Sequence, residues 1–204
     1  QPPTLRRQRQ MCIRDSYTHE ALDVQAEDFG VRQFELDVWW DPRGQLYVYH
    51  NQYDFRSNCA TFEDCLNILL TWSNENPNHV PLMIWVEPKE WVRSSTDETV
   101  VLELQDMLEK IETEIGQWWP RDKTITPDDV KGDAASLREA VTTNGWPLLD
   151  DSRGKAMFIL LAEDEVREAY VDAHPGLNGS LMFTMNDEAS DTCLLYTSPS
   201  PRDR

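Results

Sequence analysis

An α/β domain with parallel strands is the fold class this sequence predicts, and three observations predict it. Short apolar runs alternate with amphipathic helical segments, the pattern of repeated strand–helix units. Three of the runs carry or end on chemistry-bearing side chains: Glu35 and Asp37 within the first, His50 after Leu46 to Tyr49, and Glu87 after Pro81 to Val86. Barrels of parallel strands deliver active-site groups at strand C-terminal ends in this way. Between the chain ends there is no internal repeat and no low-complexity tract.

Val31 to Trp40 alternates with a period of two, putting Phe34, Leu36 and Val38 on one face and Gln33, Glu35 and Asp37 on the other. Asp41-Pro42-Arg43-Gly44 reads as a turn, and Leu46 to Tyr49 as a second strand. Thr61 and Asp64 predict a capping box opening a helix that carries Cys65, Leu66, Leu69, Leu70 and Trp72, and Asn74 to Asn78 breaks it at Pro77. Pro81 to Val86 is almost continuously apolar, which predicts a strand buried on both faces. Thr96 to Ile115 is an amphipathic helix through Val100, Leu104, Leu108, Ile111 and Ile115. Short helix starts follow at Thr126-Pro127-Asp128-Asp129 and Ser136-Leu137-Arg138-Glu139. Ala156 to Leu161 is then a buried strand, Glu163 to Ala173 a helix, and Leu181 to Met185 a further strand.

The two chain ends are a different kind of sequence. Arg6 to Ser16 resembles the conceptual translation of a transposase sequencing adaptor, and Cys193 to Asp203 that of the opposite adaptor. Residues 1–16 and 193–204 are therefore expected to be adaptor-derived and disordered, leaving 17–192 as the folded part. A basic arm and a Ser/Pro-rich tail are the alternative.

The net charge of −18 argues against a nucleic-acid binder, which needs a basic face. It also opposes long-range attraction to an anionic bilayer, although a bound cation reverses the field locally. The two ends are net basic, so the part between them is more acidic still. No apolar run approaches the roughly 18 residues of a membrane span. At 204 residues and 40% hydrophobic, one substantial core and one domain are expected. With the ends set aside, Cys59 and Cys65 are the remaining cysteines. A close pair in such a chain points to a disulfide in a secreted protein, with two separate buried thiols as the alternative. No second Cys/His pair has zinc spacing.

Glu35 and Asp37, two apart on one strand, point the same way. If that face is a barrel interior the carboxylates need a cation; if it meets solvent they are an ordinary polar edge. Glu87 follows six mostly apolar residues and is costly there without a cation, with an ion pair to Lys89 as the alternative. Together the acids form a candidate hard-cation site, and His50 at a strand end is the proton-transfer group beside it. Lys89 and Arg56 are candidates to hold phosphate oxygens, or are simply solvated charges. His19, His79 and His174 read as structural. Trp39, Trp40, Trp85 and Trp91 read as core or rim packing, with a lipid- or sugar-facing wall as the alternative.

Glu35-Leu36-Asp37-Val38-Trp39-Trp40-Asp41-Pro42-Arg43-Gly44, followed by Leu46-Tyr47-Val48-Tyr49-His50, resembles the metal-and-histidine segment of phosphoinositide-specific phospholipase C. The secreted, calcium-dependent type is the closer likeness. Tyr17-Thr18-His19, Leu22-Asp23-Val24-Gln25, Cys59 to Cys65, Trp85-Val86-Glu87-Pro88-Lys89, Ile125 to Gly132 and Gly145 to Asp150 extend it. The resemblance implies a distorted TIM barrel and cleavage of phosphatidylinositol by its own inositol 2-hydroxyl, at a membrane surface, by a secreted monomer. It implies Glu35, Asp37 and Glu87 as calcium ligands and His50 as a catalytic acid or transition-state donor, with Glu35 or Glu87 as base.

The family's His-Asn pair ahead of the Glu-x-Asp strand has no counterpart here, and its last strands have none after Thr192. The barrel is therefore expected to be incomplete at both ends, and the chain to bind calcium weakly and be inactive. Two rivals remain. A glycerophosphodiester phosphodiesterase shares the Glu-x-Asp strand and following histidine, but usually has aspartate where Asn51 stands. A secreted, non-catalytic binding barrel is the other.

Overall fold

The computed structural model describes residues 19–41, 44–50, 57–89, 98–162, 164–185 and 193–195. Six strands form one sheet: β1 (Gln33–Trp40), β2 (Leu46–Val48), β3 (Leu82–Pro88), β4 (Ala156–Leu160), β5 (Met182–Met185) and β6 (Cys193–Leu195). The spatial order is β2-β1-β3-β4-β5-β6. β2 folds back antiparallel on β1, and every other neighbouring pair is parallel. Sequence order and spatial order agree from β3 onward, the arrangement of a sheet that winds in one direction as barrel strands do. The described sheet has edges at β2 and β6, so it is an open arc.

Helices α1 (Leu22–Glu27), α2 (Phe62–Glu75), α3 (Glu98–Trp118), α4 (Pro127–Lys131), α5 (Leu137–Asn144), α6 (Leu149–Ser152) and α7 (Asp164–Ala173) fill the connections. The capping box at Thr61 is formed: its side chain accepts from Asp64 N–H at 3.1 Å, and the Asp64 carboxylate accepts from Thr61 N–H at 3.1 Å. A second box forms at Thr126 with Asp129. The long helix ends at Trp118, just ahead of Pro120, which cannot continue it. Helices α1 and α6 escape prediction because they are short: α1 buries only Leu22 and Ala26, too few positions to reveal a period.

One face of the sheet carries the core. Phe34, Leu36 and Val38 of β1, Ile84 and Val86 of β3, and Phe158 and Leu160 of β4 are buried with Phe62, Leu66 and Leu69 of α2 and Leu108, Ile111 and Ile115 of α3. Trp119 meets Phe158 edge-on at 5.6 Å. Glu112 of α3 fixes the start of β5, accepting from the backbone N–H groups of Leu181 and Met182 at 2.9 and 3.2 Å while the Tyr170 hydroxyl also donates to it. Burial, together with the Glu112 charge, holds the Tyr170 phenol well above its usual pKa, so it remains a donor.

Two expectations need correction. β3 is buried on one face, not two: Met83 is exposed and Trp85 only partly covered, because the face they share is the open side of the arc. β4, deeper in the sheet, is buried on both. Residues 193–204, expected to be disordered, are ordered over Cys193–Leu195, where β6 pairs with β5. β5 would otherwise present an unpaired row of backbone groups.

Cys59 and Cys65 are joined by a disulfide with Cα atoms 5.1 Å apart, tying the segment before α2 to its first turn. The other end of α2 is held by a buried contact between Ser73 Oγ and His79 Nε2 at 2.8 Å, and Gly154 N–H donates to His79 O at 2.9 Å. Gly154 has φ +71, and a Cβ there would lie 2.5 Å from Pro77 O. Gly154→Ala is therefore expected to lose at least about 2 kcal/mol of stability in urea unfolding. Thr61→Ala is expected to lose about 1 kcal/mol in the same measurement.

Candidate metal centre

The parallel register of β1 and β3 builds the site. Asp37 is aligned with Glu87 and Glu35 with Trp85, so alternation puts Glu35, Asp37, Trp85 and Glu87 on the open face while their apolar neighbours enter the core. Each of Glu35, Asp37 and Glu87 offers a carboxylate oxygen, and these oxygens lie within 4.8 Å of one another. The structure thus brings together the three sequence-predicted ligands. The polar-edge alternative also holds in part, since Glu35 is exposed at the surface of the cluster.

Lys89 lies just beyond β3, and its backbone N–H donates to Val38 O at 2.8 Å. Its ammonium is 2.6 Å from Glu87 Oε1 and 3.2 Å from Asp37 Oδ1. The ion pair weighed as the alternative for Glu87 is therefore present, and the same lysine also reaches Asp37. Lys89, read from sequence as a phosphate holder, is turned toward the carboxylates. The ammonium thus forms an ion pair with Asp37 as well, and Asp37 Oδ1 is a buried oxygen.

One ammonium does not neutralise three carboxylates, and the protonation equilibria reflect that. Burial pushes the Asp37 carboxyl up to about 7; Lys89 opposes the rise and Glu87 adds to it. Burial also raises Glu35, helped by the Glu87 charge and opposed by Lys89 and His50. For Lys89 burial disfavours the charged form, but Glu87 and Asp37 outweigh it and raise its pKa.

His50 sits just past β2, exposed, where Tyr49 N–H donates to Asp37 O at 3.2 Å and carries the hairpin on toward Glu35. Its effect on Glu35 places the imidazole in electrostatic range of that carboxylate. Trp39 stacks on Tyr49 at 4.8 Å and 8°, and its indole N–H donates to Tyr49 O at 2.6 Å. This stack braces the strand end that presents His50. Sequence reading treated Trp39 as packing and did not single out Tyr49. Their spacing across the hairpin was the available signal, and it becomes usable only with the register known. Trp85, read as packing, lies on the carboxylate face with a buried indole N–H that has no hydrogen-bond partner among the described residues. Arg56, Asn51 and Trp91 lie outside the described residues. His79 and His174 are structural: His79 is buried against Ser73 and Trp72, and His174 packs on Tyr170.

The raised Asp37 pKa has a definite sign. A folded-state pKa above the unfolded value means that the native state binds more protons between the usual aspartate range and about 7, so stability falls as pH rises through that window. Asp37→Asn is expected to remove this loss. Its melting temperature should exceed that of the parent at pH 7 and converge with it near pH 4, in metal-free thermal unfolding across that range.

Comparison with known proteins gives the family. The family described as phosphoinositide phospholipase C, Ca2+-dependent, matches residues 48–204, a stretch that includes His50 and Glu87 and begins after Glu35 and Asp37. A search of curated proteins found no match. Among solved structures, the chain is similar to a calcium-dependent phosphatidylinositol-specific phospholipase C from Streptomyces antibioticus, with a TM-score of 0.57 and 23% identity over 79% of this chain and 59% of that one. A calcium-dependent phosphoinositol-specific phospholipase C from a Gram-negative Pseudomonas gives the same TM-score, identity and coverages. Its myoinositol complex differs only in that 60% of that chain is covered. At this identity the likeness establishes the fold, and the chain spans about three fifths of the length of these structures. The open arc of parallel strands is thus part of a distorted TIM barrel, and the chain belongs to the calcium-dependent phosphoinositide phospholipase C family.

Proposed function

We propose that the protein carrying this chain is a secreted, monomeric, calcium-dependent phospholipase C. It cleaves phosphatidylinositol at a membrane surface into diacylglycerol and inositol (cyclic) phosphate. The observation that carries the reading is the convergence of Glu35, Asp37 and Glu87 on one point of the open face, next to the strand end bearing His50. The donor set fits calcium, a hard cation that takes oxygen ligands. Asp37 Oδ1, buried and answered by the Lys89 ammonium, already sits against a positive charge there. Bound there, calcium would lower the pKa of the attacking hydroxyl and offset charge on the phosphate.

The chain's own groups divide the remaining work. Glu35, whose pKa is raised by burial and by the Glu87 charge, is the carboxylate that takes the inositol 2-hydroxyl proton. His50 donates a proton toward the departing glycerol oxygen. Glu35, Asp37 and Glu87 would hold the cation, and the Trp39–Tyr49 stack keeps the His50 strand end in place. No described helix is long and apolar enough to cross a membrane.

Calcium takes six to eight oxygens and the triad offers three carboxylates, so the chain as given is expected to bind calcium weakly and to be inactive on lipid. The test uses the purified chain with phosphatidylinositol vesicles and calcium, reading released inositol phosphates. Turnover by this chain near that of a full-length relative overturns its expected inactivity, and turnover by a longer chain that is lost in EDTA and reduced at least about a hundredfold in His50→Ala supports the reading. Calcium-independent hydrolysis of glycerophosphodiesters favours the glycerophosphodiesterase instead. Vesicle or ligand binding with no hydrolysis, even with a longer chain, favours a non-catalytic binder.

A further inference from the structure

The position of Lys89 carries a consequence for how the carboxylates receive a metal. Its ammonium stands 2.6 Å from Glu87 Oε1 and 3.2 Å from Asp37 Oδ1. Calcium binds carboxylate oxygens at about 2.3–2.6 Å, so an ion held by the same two oxygens would need much of the space the ammonium fills. The two cations would also repel across a short, partly desolvated gap. We propose that Lys89 is a tethered placeholder cation, which holds the carboxylate triad together until an entering calcium ion displaces it and leaves its ammonium available to a phosphodiester oxygen. The inference rests on the calcium reading above.

Three features of the chain suit this exchange. The backbone of Lys89 is fixed by its hydrogen bond to Val38 O, so only the side chain need swing and the ammonium stays near the site. That side chain is 20% exposed, which gives it a path outward. Its contact with Asp37 Oδ1, at 3.2 Å, is longer than the 2.6 Å contact with Glu87 Oε1, so the Asp37 oxygen is the more readily released. Without any cation the three carboxylates would repel one another within 4.8 Å, and the triad would open.

The test reads the lysine itself. Reductive methylation of the wild-type chain in EDTA and in saturating calcium chloride is followed by peptide mass mapping, with Lys110 as the internal reference. Lys89 should be protected in EDTA and its labelling should rise severalfold with calcium, relative to Lys110. Calorimetric titration with calcium chloride should show Lys89→Met binding at least about tenfold more tightly than wild type, because no resident cation has to leave. If calcium binds and Lys89 labelling stays unchanged, the placeholder role is overturned and the calcium reading stands. If neither wild type nor Lys89→Met binds calcium, the calcium reading falls and the placeholder role falls with it. If Lys89→Met fails to fold, the labelling of the wild-type chain decides alone.

Discussion

The pairing of β1 with β3 is the constraint on which both the core and the site depend. In this parallel register Phe34 aligns with Ile84, Leu36 with Val86, and Asp37 with Glu87. Side chains alternate across a strand, so one register assigns the apolar set to the helices and the acidic set to the open face. A slip by one residue would drive Glu35 and Asp37 against α2 and α3 and expose Leu36 and Val38. Burial of Phe34, Leu36, Val38, Ile84 and Val86 penalises that slip heavily, since each would lose contact with a close-packed core. The apolar residues thereby hold the carboxylates in position.

That arrangement stores electrostatic cost on the open face. Burial and mutual repulsion raise the pKa values of Asp37 and Glu35, and a single lysine offsets part of the charge. A site tuned only for stability would pair each carboxylate or replace it with an apolar group. A face that gathers three carboxylates around a single ammonium is suited to receive a multivalent cation. The helix side carries one comparable group, Glu114 of α3, buried beside Lys110 with its pKa raised by burial. Other polar groups there are closed into capping boxes, the Ser73–His79 contact and the Glu112 cluster at the start of β5.

Much of this architecture was legible in the residue pattern. The alternation in Val31 to Trp40, the Thr61–Asp64 box, the spacing of Leu104, Leu108, Ile111 and Ile115, and the apolar run after Gly154 all became the elements they indicate. The misses have physical causes. β3 looks buried on both faces because Met83 and Trp85 are apolar, but the open arc leaves their side partly uncovered. The short helices α1 and α6 present too little periodicity to be read, and the pairing of Cys193–Leu195 depends on the edge β5 offers.

The candidate site divides the same way. Residue type and strand spacing determined that Glu35, Asp37 and Glu87 carry the acidic chemistry and that His50 ends the neighbouring strand, because a period of two decides which side chains share a face. Whether β1 lies beside β3, which aligned carboxylates meet, and where the Lys89 ammonium rests were decided by tertiary structure. Those depend on a register set by contacts far apart in the chain, between helices and strands that local sequence does not relate.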